Sequence, residues 1–83
     1  MKLLITGGTG SLGLALTRYF IGSAERIVVF SRDEQKQAAM HARYVPKPAS
    51  LRFLLGDVRD REALRHAMYG CDTVVHAAAL KRV

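Results

Sequence analysis

The residues best placed to do chemistry here are glycines. The run Thr6-Gly7-Gly8-Thr9-Gly10-Ser11-Leu12-Gly13 holds Gly8, Gly10 and Gly13 in the register G-x-G-x-x-G. It also holds Gly7, Gly10 and Gly13 in the variant T-G-x-x-G-x-x-G, led by Thr6. Each glycine has a separate task at such a site. One makes the tight turn off a strand, one lets the backbone approach a diphosphate with no Cβ in the way, and one lets the following helix pack closely on the sheet. The helix then turns its unpaired N–H groups and positive dipole end toward the anion. No Lys-Ser or Lys-Thr follows the glycines, so the run does not read as a mononucleotide phosphate loop.

Other groups follow at strand ends. Ser31-Arg32 closes a second apolar run, with Asp33 one step on. An acid at this position favours NAD, through the adenosine ribose, whereas a cation accommodates the 2′-phosphate of NADP. A hydroxyl and a guanidinium suit a phosphate dianion, so Ser31 and Arg32 point to NADP over NAD, although Asp33 stands where a ribose-binding acid could sit. Ser31 also reads as a helix cap, which is compatible with an anion site. Asp57 and Val58 follow the third run and would border the adenine ring. There Asp57 either accepts from the exocyclic amine or ends the strand by bonding its own backbone. Ala77, Ala78 and Ala79 follow the fourth run, where small residues admit the cofactor or simply pack closely. Lys81 lies where substrate should enter and reads either as a diphosphate contact or as a solvated surface lysine. His76, inside an apolar strand, reads as a satisfied core residue. No metal site is expected.

These groups need elements to hold them. Lys2-Leu3-Leu4-Ile5 is a buried strand running into the glycine turn, and Leu12, Ala15, Leu16, Tyr19 and Phe20 recur at helical spacing behind it. Gly22-Ser23-Ala24 stops that helix. Arg26 to Phe30 is a β-branched strand buried on both faces. Ser31 and Glu34 form a capping box for a second helix, with Met40, Tyr44 and Ala39 on a thin apolar face. Pro46 and Pro48 end it. Leu51 to Leu55 is a third strand, closed by Gly56-Asp57. Asp60 caps a third helix with Ala63, Leu64, Ala67 and Met68 inward, and Gly70 stops it. Thr73 to Ala77 is a fourth strand. This alternation gives an α/β fold, βαβαβαβ, with a parallel sheet of order 3-2-1-4 and right-handed crossovers. That is the N-terminal half of a Rossmann-type doubly wound sheet. Residues 1–83 are therefore expected to form part of a larger domain, with the fourth strand at an open edge.

Composition narrows the classes further. With 83 residues and 49% apolar content, the chain makes one small domain or part of one. The net charge of +6 comes from basic residues scattered from Lys2 to Arg82. They form no run, so nucleic acid is not an expected partner, and an anionic small ligand accounts for some of the charge. Cys71 is the single cysteine, which excludes an internal disulfide framework, and it reads as a small buried core residue. No apolar stretch is long enough for a membrane span, and no secretory signal precedes the first strand, so the expected location is cytoplasmic.

Together, the glycine turn, Ser31-Arg32-Asp33-Glu34, Gly56-Asp57-Val58-Arg59-Asp60 and His76-Ala77-Ala78-Ala79-Leu80-Lys81 resemble the extended short-chain dehydrogenase/reductase superfamily. The stretch Ser31 to Gln37 and the Ala-Ala-Ala-Leu-Lys ending look most like its polysaccharide-biosynthesis branch, typified by inverting UDP-N-acetylglucosamine 4,6-dehydratases. The resemblance implies tightly held NADP used as an internal redox relay and a UDP-N-acetylglucosamine-like nucleotide sugar as substrate. It implies a net dehydration, hence a lyase, and a homo-oligomeric full-length protein. It places Thr6 to Gly13, Ser31, Arg32, Asp57, Val58 and Ala77 to Ala79 at the cofactor and Lys81 at the substrate. The superfamily's Tyr-x-x-x-Lys is absent: Tyr19, Tyr44 and Tyr69 are followed four residues on by Ser23, Pro48 and Thr73. No residue of this chain is therefore assigned to catalysis. The alternatives are an epimerase or reductase acting on nucleotide sugars, and a non-catalytic dinucleotide-binding module.

Overall fold

A computed structural model describes residues 1–77. Its elements alternate without exception: β1 (Lys2–Thr6), α1 (Ser11–Phe20), β2 (Arg26–Ser31), α2 (Glu34–Ala42), β3 (Leu51–Leu55), α3 (Arg61–Met68) and β4 (Thr73–His76). The four strands form one parallel sheet in the order β3-β2-β1-β4, as the alternation predicts. The chain steps outward from β1 to β2 to β3, then crosses back to β4 on the other side. Right-handed crossovers then put α1 and α2 on one face of the sheet and α3 on the other.

The packing follows that division. Leu3, Ile5, Ile27, Val29 and Leu51 meet Met40 of α2, with Leu14, Leu16 and Phe20 of α1 against them. Leu4, Val28 and Phe30 face the other way, onto Ala67 with Ala63, Leu64 and the half-buried Cys71 beside it. Successive strand residues point to opposite faces, so β1 and β2, covered on both, read as continuous apolar runs. The sheet's outer strands, β3 and β4, are only partly covered.

Several local expectations are corrected. On α1, Leu12 is 37% and Tyr19 79% exposed, and the buried line runs instead through Gly13 and Thr17, one turn apart. Gly13 sets how closely the helix approaches, so the contact line passes through small residues rather than the largest apolar ones. The box of Ser31 and Glu34 does not form. Ser31 is the last residue of β2, and its carbonyl accepts from the N–H of Gly56 at 2.9 Å. Asp33 caps α2 instead, accepting from the backbone N–H of Lys36 at 2.9 Å. Ala39 is exposed, while Gln37 joins Met40 on the buried side of α2. On α3 the Asp60 cap is present, accepting from the N–H of Ala63 at 3.2 Å, but Met68 is 42% exposed. Gly70 turns the chain at φ 79°, a left-handed conformation that suits glycine.

Candidate functional site

The site lies where the carboxyl ends of the strands meet the loops that leave them. In open α/β sheets, this crevice at the reversal of strand order is where ligands bind. Here β1 is that point, with β2 on one side and β4 on the other.

Gly7 leaves β1 at φ 65°, a left-handed conformation that glycine adopts without a steric penalty. Its N–H donates to the carbonyl of Phe30 at 2.9 Å, and that of Gly8 to the same carbonyl at 3.4 Å, so the loop is tied across the end of β2. The N–H of Gly10 donates back to the carbonyl of Gly7 at 3.2 Å. Gly10 is the N-cap of α1, and no side chain caps that helix or places an acid in its first turn. The first N–H groups of α1 therefore face the crevice without a side-chain acceptor, an arrangement suited to an anion.

The crevice is a cleft of about 910 Å³. Gly7, Thr9, Gly10, Ser11 and Leu12 line it from the loop, and Ser31 and Arg32 from the end of β2. Gly56, Asp57 and Val58 line it from the turn after β3, and Ala77 from the end of β4. The structure thus brings together most of the residues singled out from sequence. Thr6, Gly8 and Gly13 do not line the cleft but shape its floor. A Cβ on Gly13 would lie 2.2 Å from the carbonyl oxygen of Gly8, so α1 and the loop meet backbone to backbone. Thr6 is buried, and its hydroxyl is hydrogen-bonded to Nδ1 of His76. His76 is not a core residue: it is exposed, because β4 is an edge strand and the face that carries Val74 and His76 is left largely uncovered there. Ala78, Ala79 and Lys81 lie outside the described residues.

The electrostatics concentrate at the β2 and β3 end of the cleft. Asp57 Oδ1 accepts from the backbone N–H of Arg59 at 2.9 Å, so the carboxylate does cap its own turn. The Arg59 guanidinium then folds back onto it, Nε donating to both oxygens at 3.1 Å and Nη2 to Oδ2 at 2.7 Å. Arg32 Nη1 adds a longer contact to Oδ2 at 3.3 Å. The Arg59 side-chain hydrogen bonds, then its backbone N–H and then the charges of both arginines hold the Asp57 carboxyl well below the usual carboxylate range. The same contact raises Arg59 further above its ordinary value.

Sequence reasoning missed three groups. Lys36 and Arg59 line the cleft, so Arg32, Lys36 and Arg59 stand there against Asp33 and Asp57. Gln37 lies behind it, donating from Nε2 to the carbonyl of Leu54 at 2.7 Å and to Ser31 Oγ at 3.2 Å. A carbonyl only accepts, so the Leu54 contact fixes which end of the amide is the donor. Ser31 Oγ is therefore an acceptor toward Gln37, and its own O–H remains to donate toward the cleft. The signal for Arg59 was present, since an arginine two residues after a strand-ending aspartate can close back on it. Gln37 gave no signal, because its partners lie 6 and 17 residues away on two strand ends.

Among the described residues, no group of three or more His, Cys, Asp or Glu could hold a metal ion. No helix among them is long and apolar enough to cross a membrane.

Comparison with known proteins follows the same lines. The family described as polysaccharide biosynthesis protein matches residues 3–83. A UDP-glucose 4-epimerase of Rickettsia typhi is 46% identical over 98% of this chain and 25% of its own length. An inverting UDP-N-acetylglucosamine 4,6-dehydratase of Campylobacter jejuni is 44% identical over 99% of this chain and 25% of its own length. Among solved structures, Pen from Bacillus thuringiensis superposes with a TM-score of 0.88 at 35% identity, covering 99% of this chain and 26% of that one. The Bordetella bronchiseptica enzyme WbmG, in complex with NAD and UDP, gives a TM-score of 0.78 at 29% identity, covering 100% and 26%. The chain thus spans about a quarter of the length of the relatives it matches.

Proposed function

The chain belongs to the polysaccharide biosynthesis protein family of the extended short-chain dehydrogenase/reductases, and on that footing we propose that it is the NADP-binding segment of a nucleotide-sugar 4,6-dehydratase. The observation that carries the reading is the cleft itself. An uncapped helix start and a glycine-rich loop lie at one end, and Ser31, Arg32 and two further cations at the other. A dinucleotide has anionic groups at both places, the diphosphate and, in NADP, the 2′-phosphate.

These residues fit such a cofactor. A bound nicotinamide dinucleotide would supply a hydride acceptor and donor. The chain's own residues would bind and orient it. The N–H groups around Gly10 to Gly13 would hold the diphosphate, with Thr9 and Ser11 beside it. The Ser31 hydroxyl and Arg32 would hold the 2′-phosphate. Asp57 and Val58 would border the adenine, and Ala77 to Ala79 would let the fourth strand's end approach closely. Lys81 is assigned to the sugar nucleotide's diphosphate. Residues 1–83 would form the first half of a larger domain, in a homo-oligomeric cytoplasmic enzyme. The groups that handle protons would lie outside this chain, which has no Tyr-x-x-x-Lys.

A second reading, a nucleotide-sugar 4-epimerase, is favoured by the identity to the Rickettsia sequence, which matches that to the dehydratase. One experiment separates the two. The longest open reading frame containing this chain is incubated with UDP-N-acetylglucosamine and NADP, and products are identified by mass and NMR. A 4-keto-6-deoxy product supports the dehydratase. A product of unchanged mass, inverted at C4, replaces that reading with the epimerase. Failure of the protein to bind either dinucleotide in calorimetric titration would remove both.

A further inference from the structure

We propose that Arg59 is a specificity-determining residue, which makes the Asp57 carboxylate tolerable beside a 2′-phosphate and leaves Arg32 available to bind it. The inference rests on the cofactor assignment above and adds a residue to it.

Asp57 presents a difficulty for any anion bound at this end of the cleft. It is ionised, partly exposed and part of the lining, with a cation intended for a phosphate already leaning on it. Left alone, it would repel the phosphate dianion and also compete with it for Arg32. Arg59 removes both effects. Three guanidinium contacts and one backbone N–H from a single residue engage both carboxylate oxygens. A carboxylate offers about four lone-pair sites, so these donors nearly saturate it. The Arg32 contact is single and longer, 3.3 Å against 2.7 Å for the best Arg59 contact. Arg32 is thus aimed but weakly held, and a phosphate can take it over. Arg59 reaches the 2′-phosphate only through Asp57 and Arg32, so it is a positioning residue.

The arrangement predicts a discrimination effect without a folding effect. The Arg59 side chain is 78% exposed, so truncating it leaves the core intact. Arg59→Ala unmasks one negative charge near a dianion in a solvent-screened cleft, which should weaken NADP binding about threefold to tenfold. NAD carries a hydroxyl there and should move by less than about twofold. The test is calorimetric titration of NADP and NAD into wild type, Arg59→Ala, Asp57→Asn and the double variant. The quantity read is the ratio of the two dissociation constants, in which any shared effect at the adenine cancels. The expected pattern is a ratio eroded in Arg59→Ala and restored in Arg59→Ala/Asp57→Asn to that of Asp57→Asn alone. Equal loss of both cofactors, no loss of either, or an unrestored ratio in the double variant overturns the proposal. Arg32→Ala distinguishes the two levels of the argument. If it erodes NADP binding while Arg59→Ala does not, only the role of Arg59 falls. If neither moves the ratio, the assignment of this end of the cleft to a 2′-phosphate falls with it.

Discussion

Replacing Gly13 by alanine tests whether the glycine loop and α1 are held by backbone contact. The added Cβ would lie 2.2 Å from the carbonyl oxygen of Gly8, 2.4 Å from its carbonyl carbon and 2.5 Å from its Cα. Ordinary carbon contacts sit near 3.5–4.0 Å, so a separation of roughly 1 Å or more must be found. The loop cannot retreat to supply it. Gly8 is itself backed by the sheet, where a Cβ on it would stand 2.8 Å from Val29 Cγ1. Its N–H and that of Gly7 are tied to the Phe30 carbonyl. The helix must lift, and lifting loosens Leu14, Leu16 and Phe20 from the cluster beneath them. Overpacking of this kind costs about 1–3 kcal/mol and occasionally more, and backbone on both sides puts Gly13→Ala near about 3 kcal/mol.

Gly10→Ala is the matched control, because it alters the same motif at a position with space. Its Cβ would meet only the Gly7 carbonyl oxygen, at 3.6 Å, an ordinary contact. The backbone there is extended, and the cost should be limited to the poorer capping of alanine, at most about 1 kcal/mol. The methyl would instead occupy the cleft beside the start of α1. Thermal melting and cofactor titration of both variants should therefore separate them. For a domain of this size about 1 kcal/mol shifts the melting temperature by about 4–8 °C, so Gly13→Ala should melt about 12–24 °C lower. Gly10→Ala should melt within about 8 °C of wild type while losing most of its affinity for dinucleotide. A Gly13→Ala protein melting beside wild type would refute the close-approach argument, and a Gly10→Ala protein binding normally would remove the diphosphate from this loop.

Three further outcomes are expected. Arg32→Ala should weaken NADP about tenfold to a hundredfold with little change in NAD, since charge-assisted hydrogen bonds are worth about 1.5–3 kcal/mol; equal changes in both titrations would show that Arg32 reads something other than the phosphate. Gln37→Met keeps the volume of the side chain but removes the donor shared by Ser31 and Leu54. It should cost about 1–3 kcal/mol in denaturant unfolding, and a neutral result would mean water replaces it. Asp57 has a folded-state pKa below its unfolded one, so its contribution to stability is present above the unfolded carboxylate value of about 3.9 and is lost as pH falls through the folded value. Wild type and Asp57→Asn should therefore draw together in stability as pH falls below about 4, and a gap that widens on acidification would reverse the assigned sign.

What could be read from the sequence was what neighbouring residues decide. Leu3 to Ile5 and Ile27 to Phe30 are apolar throughout because helices cover both faces, and the order 3-2-1-4 followed from strand alternation and the hand of the crossovers. Gly10 and Gly13 were legible as a motif, because a diphosphate and a close-packed helix each forbid a Cβ. The misreadings arose where two local rules compete or where a distant partner decides. Ser31 and Asp33 are both good caps, and the choice fell to Asp33 because the backbone of Ser31 is still bonded to the turn after β3. Tyr19 has helical spacing but faces solvent, since the line of contact is drawn by Gly13 and Thr17 rather than by side-chain size.

Thr6 and His76 are 70 residues apart and meet only because β1 and β4 are adjacent in register. Gln37 is polar on a weakly apolar helix and would be taken for a solvated residue. It is buried because two strand ends leave a hydroxyl and a carbonyl in want of a donor. The same logic joins the two halves of the candidate anion site. Ser31 is set by Gln37 from beneath, and Arg32 is set by Asp57 from the turn after β3, itself held by Arg59. The two residues that sequence assigns to the phosphate thus depend on three that it does not. Grafting Ser31 and Arg32 alone onto a related NAD-preferring loop should therefore transfer little NADP preference. Grafting them together with Gln37, Asp57 and Arg59 should transfer most of it, a difference that cofactor titration of the two chimaeras reads directly.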